Sequence, residues 1–223
     1  MCCAKVSLMK LRYSNQGRHA LTAVEVLVVI GVLAIFLAII DFGPPASAKR
    51  KAQRVACADN LKQIGLSYRV WGGDHNDKYP MQIAVTNGGA REQALTGDAV
   101  AIFRGMSNEL GTPKILICPA DPIRFAATNF NRDLNGKISY FVNVDASDAY
   151  PQMILSGDDN FAIGGLPVKS GLLEVSAKTP IAWTAARHKG AGNLGMADGS
   201  VQMASNSGLT NLANQATNRL AIP

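Results

Sequence analysis

From Leu21 to Ile40 the chain reads LTAVEVLVVIGVLAIFLAII, twenty residues interrupted by one charge, Glu25. At about 1.5 Å per helical residue such a run extends roughly 30 Å, the thickness of a bilayer hydrocarbon core. A helix that packs on a soluble core keeps a polar side, and after Glu25 this run has none. It therefore predicts a membrane anchor or an export signal, and either places the residues beyond Pro45 outside the cytoplasm. Charge does not orient it, because Lys49, Arg50, Lys51 and Arg54 follow the run as densely as Lys5, Lys10, Arg12 and Arg18 precede it. A carboxylate at the centre of a membrane helix costs roughly 2.5–3.5 kcal/mol, and less near an end. Glu25 thus needs a partner. A cut just before Leu21 supplies one, since Glu25 then falls in the first turn of a helix that begins with a free amine.

The net charge of +6, from 22 basic and 16 acidic residues, suggests a polyanion-binding protein until it is located. Residues 1–20 hold four of the basic residues and no acid, and the rest of the chain carries 18 basic against 16 acidic. There is no direct nucleic-acid signal. The cysteines are Cys2, Cys3, Cys57 and Cys118, with no C-x-x-C pair, which excludes zinc-ribbon, thioredoxin-type and haem-attachment motifs. Cys57 and Cys118 are left as a candidate disulfide or as two separate thiols.

Asp41-Phe42-Gly43-Pro44-Pro45 breaks or bends the first helix, and a second runs from Ala46 to about Trp71. Cys57, Leu61, Ile64, Tyr68 and Trp71 recur at spacings of four, three, four and three, one face of an amphipathic helix. Further on, 98–106 predicts a short helix, while 114–118, 137–144 and 180–184 predict strands. Asp198-Gly199 between two alternating runs predicts a hairpin with a two-residue turn. Leu209, Leu212, Ala213, Ala216 and Leu220 predict a final helix.

The segment Arg18-His19-Ala20-Leu21-Thr22-Ala23-Val24-Glu25 resembles the N-terminal cleavage and methylation signal of type IV prepilins and type II secretion pseudopilins. In that family a basic leader is cut before a hydrophobic residue, usually Phe, followed by Thr, with Glu at the fifth mature position. Here Ala20 replaces the usual Gly and Leu21 the usual Phe. The segments 57–65, 107–110, 117–121 and 138–142 are similar to a pseudopilin-like subgroup abundant in Verrucomicrobia-type and Planctomycetes-type bacteria. His188, followed after nine residues by Asp198-Gly199, matches its C-terminal H-x9-DG signature. The resemblance implies an α+β, pilin-like fold, with a long N-terminal helix (membrane half plus amphipathic half) packed on a small antiparallel β-sheet domain. The implied segments are a basic leader at 1–20, a transmembrane half at 21–42, a stem helix at 43–73 and an extracytoplasmic domain at 74–223.

Three groups invite chemistry. His188 and Asp198 bracket the hairpin, but no third residue stands at zinc spacing and no G-x-S-x-G elbow is present, so the expectation is a histidine bonded to backbone and a turn aspartate. Asp74-His75-Asn76-Asp77 and Gly157-Asp158-Asp159-Asn160 are oxygen-rich, and Asp158 and Asp159 are calcium candidates without the EF-hand order. Cys57 lies on the packing stripe, where a small buried thiol competes with a stem-to-domain disulfide to Cys118.

The expected function is structural rather than enzymatic and needs no cofactor. A precursor cut between Ala20 and Leu21 and methylated at Leu21 assembles into a type II secretion or type IV pilus-like filament, with Glu25 neutralising the Leu21 amine of another subunit. Its partners are other pilin-like subunits, a prepilin peptidase/methyltransferase, an inner-membrane assembly platform and the lipid bilayer. Its location is the inner membrane, single-pass, with the C-terminal domain in the periplasm. The alternatives are an uncleaved anchor carrying a binding or enzymatic domain, and a secreted domain released after Ala46-Ser47-Ala48.

Overall fold

The computed structural model describes residues 22–41, 45–176, 178–213 and 218–223, so the expected cleavage point between Ala20 and Leu21 lies outside the described residues. The chain divides into two units after Pro45.

The first unit contains helix α1, Ala23–Asp41. Its start is written in the sequence T-A-V-E. The Thr22 N–H and hydroxyl both donate to Glu25 Oε2, at 2.7 and 2.9 Å, and Thr22 Oγ1 accepts from the Glu25 N–H at 3.3 Å. This reciprocal capping box satisfies donors that a helix N-terminus otherwise leaves open. Every described side chain of α1 is exposed.

The second unit begins with helix α2, Ala46–Gly73, whose buried face contains the whole expected stripe of Cys57, Leu61, Ile64, Tyr68 and Trp71. Short turns of helix follow at Pro80–Gln82 and Val85–Asn87, then α3 (Arg91–Ala94), α4 (Ala99–Gly105), α5 (Ser107–Leu110) and a 3-10 turn at Pro113–Leu116. The strands are β1 (Tyr140–Asn143), β2 (Ile154–Asp158), β3 (Phe161–Ile163), β4 (Leu166–Pro167), β5 (Gly171–Val175), β6 (Ile181–Trp183), β7 (Gly192–Met196), β8 (Val201–Ala204) and β9 (Asn218–Ile222). Helix α6, Asn206–Ala213, precedes β9. The strands form a six-stranded sheet, β5-β9-β1-β2-β7-β8, and a three-stranded sheet, β4-β3-β6, with antiparallel pairing throughout.

The large sheet is covered on both faces, and the two-residue period of a strand supplies both cores. Tyr140 and Val142 of β1, Leu155 of β2 and Ala221 of β9 join the α2 stripe in one cluster. Their neighbours Phe141, Ile154, Leu220 and Ile222 join Phe161, Trp183 and Leu209 in the other. Helix α2 also lies close to the β7–β8 hairpin. A Cβ on Gly65 would sit 3.4 Å from Gly199 Cα, and Arg69 Nη1 donates to the Asp198 carbonyl at 3.2 Å.

This architecture corrects the expected fold. Instead of a small sheet under one long helix, the described residues form nine strands in two sheets, and the N-terminal helical residues up to Gly73 form two elements, α1 and α2. Among the described residues no helix is long and apolar enough to cross a membrane. Helix α1, with 19 residues, extends about 28 Å at 1.5 Å per residue. Residues 113–116 coil into a 3-10 turn because Pro113 opens the segment and Thr112 Oγ1 caps it by accepting from the Lys114 N–H. The hairpin loop has three residues, not two. The Gly199 N–H bonds the Met196 carbonyl, Met196 N–H bonds the Ser200 carbonyl, and Gly199 takes φ +83°. That is a type I turn closed by a glycine bulge. Leu220, expected in the last helix, pairs with Leu173 and Asn143 within the sheet.

Candidate metal centre

Cys57 and Cys118, the candidate disulfide, meet Asp158, a calcium candidate, and His188, of the C-terminal signature, inside the second unit. Cys57 comes from the buried face of α2, and Cys118 follows the 3-10 turn that Pro113 starts. Asp158 ends β2, opposite Tyr140 in register. His188 lies between β6 and β7, where His188 and Lys189 adopt φ +51° and +56° and Gly190 φ +73°. Left-handed backbone at two successive residues with a Cβ costs of order 1–3 kcal/mol each and recurs at functional sites.

One ligand atom from each of Cys57, Cys118, Asp158 and His188 lies within 4.8 Å of the other three. Cys57 Sγ donates to Asp158 Oδ1 at 3.2 Å, Cys118 Sγ is 3.2 Å from His188 Nε2, and His188 Nε2 is 3.6 Å from Asp158 Oδ2. The side chains of His188 and Asp158 are 1% and 0% exposed. Both thiols are free and buried. Supporting contacts hold the group in place: the Asn193 N–H donates to Asp158 Oδ2 at 2.8 Å, and the Tyr140 hydroxyl donates to Cys57 Sγ at 3.3 Å.

The electrostatics follow from burial and crowding. Burial pushes the Asp158 carboxyl up to about 7, with the negative charge at Cys118 adding to it and Arg187 and His188 opposing. A hydrogen bond from Cys57 holds the Cys118 thiol down, to about 4, against burial and with help from His188. The same bond, then burial and the Asp158 charge, pushes the Cys57 thiol up.

Beside the cluster, the buried Arg187 guanidinium pairs with Asp159, lies 3.5 Å from Asp121 Oδ2 and 3.9 Å from Asp158 Oδ1, and donates to the Ser139 carbonyl at 3.3 Å. Arg124 Nη1 reaches the other Asp159 oxygen at 2.6 Å. Of the two calcium candidates, Asp158 therefore sits among thiols and an imidazole, while Asp159 is held by two guanidinium groups. The residues 154–158 form a strand buried along its length rather than an acidic loop.

The H-x9-DG residues divide between two tasks. His188 faces Cys118 and Asp158 instead of backbone, whereas Asp198 accepts from the Ser200 N–H at 2.8 Å as a turn residue and Gly199 makes the bulge under α2. Sequence reasoning missed Tyr140, Asn193, Arg187 and Asp121 as supports. For Tyr140 and Asn193 the signal was a polar side chain inside a buried strand, at 140–143 and 192–196, whereas Arg187 and Asp121 lie outside the strands and gave none.

No family model, no curated protein and no solved structure matches this chain.

Proposed function

We propose that the chain is the precursor of a structural subunit, held at a bilayer by its apolar N-terminal segment and assembled with other copies through α1. The observation that carries this reading is the surface of α1. Val24, Leu27, Ile35, Phe36 and Leu37 are each 60–68% exposed, and the helix is apolar on every side after its first turn. Such a surface does not stay in water. Lipid tails or the same helix of neighbouring subunits cover it.

The resemblance to prepilins adds the order of events: cleavage between Ala20 and Leu21, methylation of the new amine, and release from the membrane into a type II secretion or type IV pilus-like filament. The capping box supports that order, because Thr22 and Glu25 both lie after the cut and keep their mutual bonds when residues 1–20 leave. Glu25 then stands at the fifth position of the new chain, available to an amine of its own or a neighbouring chain. An unpaired charge inside a dry bundle costs several kcal/mol, so the pair acts as a register check on incoming subunits. Heterologous contacts of this kind, one surface meeting a different one, propagate as a fibre.

The test is the intact mass and N-terminal sequence of the protein purified from its own membranes. A chain that starts at methylated Leu21 supports the reading. A chain that retains residues 1–20, or that starts at Lys49, overturns it in favour of an anchored or a secreted domain.

A further inference from the structure

We propose that Cys57, Cys118, Asp158 and His188 bind one divalent transition-metal ion of the zinc type, which ties α2 to the sheet. Two sulfurs, an imidazole nitrogen and a carboxylate oxygen are the donor set of a closed tetrahedral zinc site, and thiolates select against calcium and magnesium. The spacing fits. Bonds of 2.0–2.3 Å to a common centre put tetrahedral ligand atoms about 3.3–3.8 Å apart. Cys57 Sγ lies 3.2 Å from Asp158 Oδ1, Cys118 Sγ 3.2 Å from His188 Nε2 and His188 Nε2 3.6 Å from Asp158 Oδ2, and one ligand atom from each residue lies within 4.8 Å of the others.

The rival arrangement is a Cys–His–Asp catalytic triad, and the ring nitrogens decide against it. In a triad the nucleophile and the acid engage opposite nitrogens of the histidine, so that the ring passes a proton between them. Here Cys118 and Asp158 both face Nε2. Ligands that converge on one point describe an ion's position, not a relay. Cys118 is also 1% exposed, out of reach of a substrate.

The surroundings suit a bound cation with three anionic ligands. Two thiolates and a carboxylate leave the loaded centre with one net negative charge, and Arg187 stands 3.9 Å from Asp158 Oδ1 to balance it. Asn193 and Tyr140 hold the Asp158 and Cys57 donors in the kind of supporting contacts that orient metal ligands. A cleft of about 220 Å³ reaches His188, its other lining residues including the basic Arg50, Lys51, Arg54 and Lys189. All four positions are filled by protein, so the ion's part is structural.

The experiment uses the full chain carrying Cys2→Ser and Cys3→Ser, purified with a thiol reductant and titrated with Co²⁺. The expected result is one Co²⁺ per chain with thiolate-to-cobalt charge-transfer bands and the visible bands of a tetrahedral ion, displaced by one equivalent of Zn²⁺. Cys118→Ser and the isosteric Asp158→Asn should each weaken Co²⁺ binding by at least about 10–100-fold, the loss typical of even a supporting contact. Far-ultraviolet circular dichroism checks that each variant is folded, and Asp158→Asn keeps the test open if the cysteine variant is not. Three results overturn the proposal: no stoichiometric Co²⁺ uptake by the folded, reduced protein; uptake unchanged in the Cys57→Ser/Cys118→Ser variant; or a Cys57–Cys118 disulfide in the protein isolated without reductant.

Discussion

Arg187 and Asp159 form a buried ion pair, each one residue away in sequence from a member of the thiol–imidazole–carboxylate cluster. The neighbouring residues His188 and Asp158 thus inherit their placement from a charge pair that is itself 6% and 3% exposed. Burying a charge is tolerated only with a partner.

The first prediction concerns that pair. Arg187→Met leaves the Asp159 and Asp121 carboxylates with Arg124 but without the buried guanidinium they share, and unfolding free energy should fall by up to about 3–5 kcal/mol. Arg187→Lys should recover little of it, because a single ammonium does not reproduce contacts to Asp159, Asp121 and the Ser139 carbonyl together. Urea unfolding followed by circular dichroism measures both. A loss below about 1 kcal/mol for Arg187→Met would mean that the pair is dispensable.

A second prediction follows from packing in β2. A Cβ on Gly157 would lie 2.6 Å from Leu194 Cδ2 and 2.9 Å from the Phe141 ring. Both neighbours are buried, so neither moves freely. Gly157→Ala should cost about 1–3 kcal/mol through overpacking, despite the gain in strand propensity. An unchanged denaturant midpoint would show that the second core has slack.

Glu25 allows charge to be separated from capping. Glutamine can still accept at the third helical position of a capping box, whereas alanine cannot. If the carboxylate is needed to neutralise an amine during assembly, both Glu25→Gln and Glu25→Ala should insert and be cut, yet fail to form filaments. If only the cap matters, Glu25→Gln should assemble normally. Electron microscopy of sheared surface material, with the N-terminal sequence as a control for processing, separates the two.

Alkaline stability gives a fourth test. Burial pushes the Tyr79 hydroxyl up to about 12, and the hydroxyl donates to the Ala197 carbonyl at 3.0 Å. Its folded value lies above its unfolded value near 10, so the folded state holds the proton more tightly. The stabilisation from this group is complete below pH 10 and is lost as pH rises from about 10 to 12. Tyr79→Phe should lower stability near neutral pH and flatten the decline between those two values. A decline of the same slope in the variant would assign the alkaline loss to other groups.

The sequence announced the elements whose periodicity is simple. The four-three-four-three stripe from Cys57 to Trp71 is buried as read, and Asp98 caps α4 by accepting from the Ala101 N–H. Alternation at Ile138, Tyr140 and Val142 found β1 and one of its faces. Phe141 on the other face was invisible to that pattern, because a strand buried on both sides has no polar partner to alternate with. Strand β2 was hidden because Ser156, Gly157 and Asp158 read as a loop although all are buried, and β9 looked helical because Leu220 falls four residues from Ala216. The candidate centre was least legible of all. Its four members come from four separate segments with no spacing rule between them, and His188 reaches the others only through the left-handed backbone at 188–190. A local motif search tests neighbours in sequence, while this cluster is made by topology.

Strand β9 also joins parts of the sheet that lie far apart in sequence. It lies between β5 and β1, pairing Val142 with Ala221 on one side and Leu172 with the same Ala221 on the other. Until residues 218–222 arrive, β1 and β5 are open edges with unpaired backbone groups, the kind of edge that recruits strands from other molecules. Because β9 follows both of its partners in the sequence, this part of the sheet closes only when a distant later segment folds back between them.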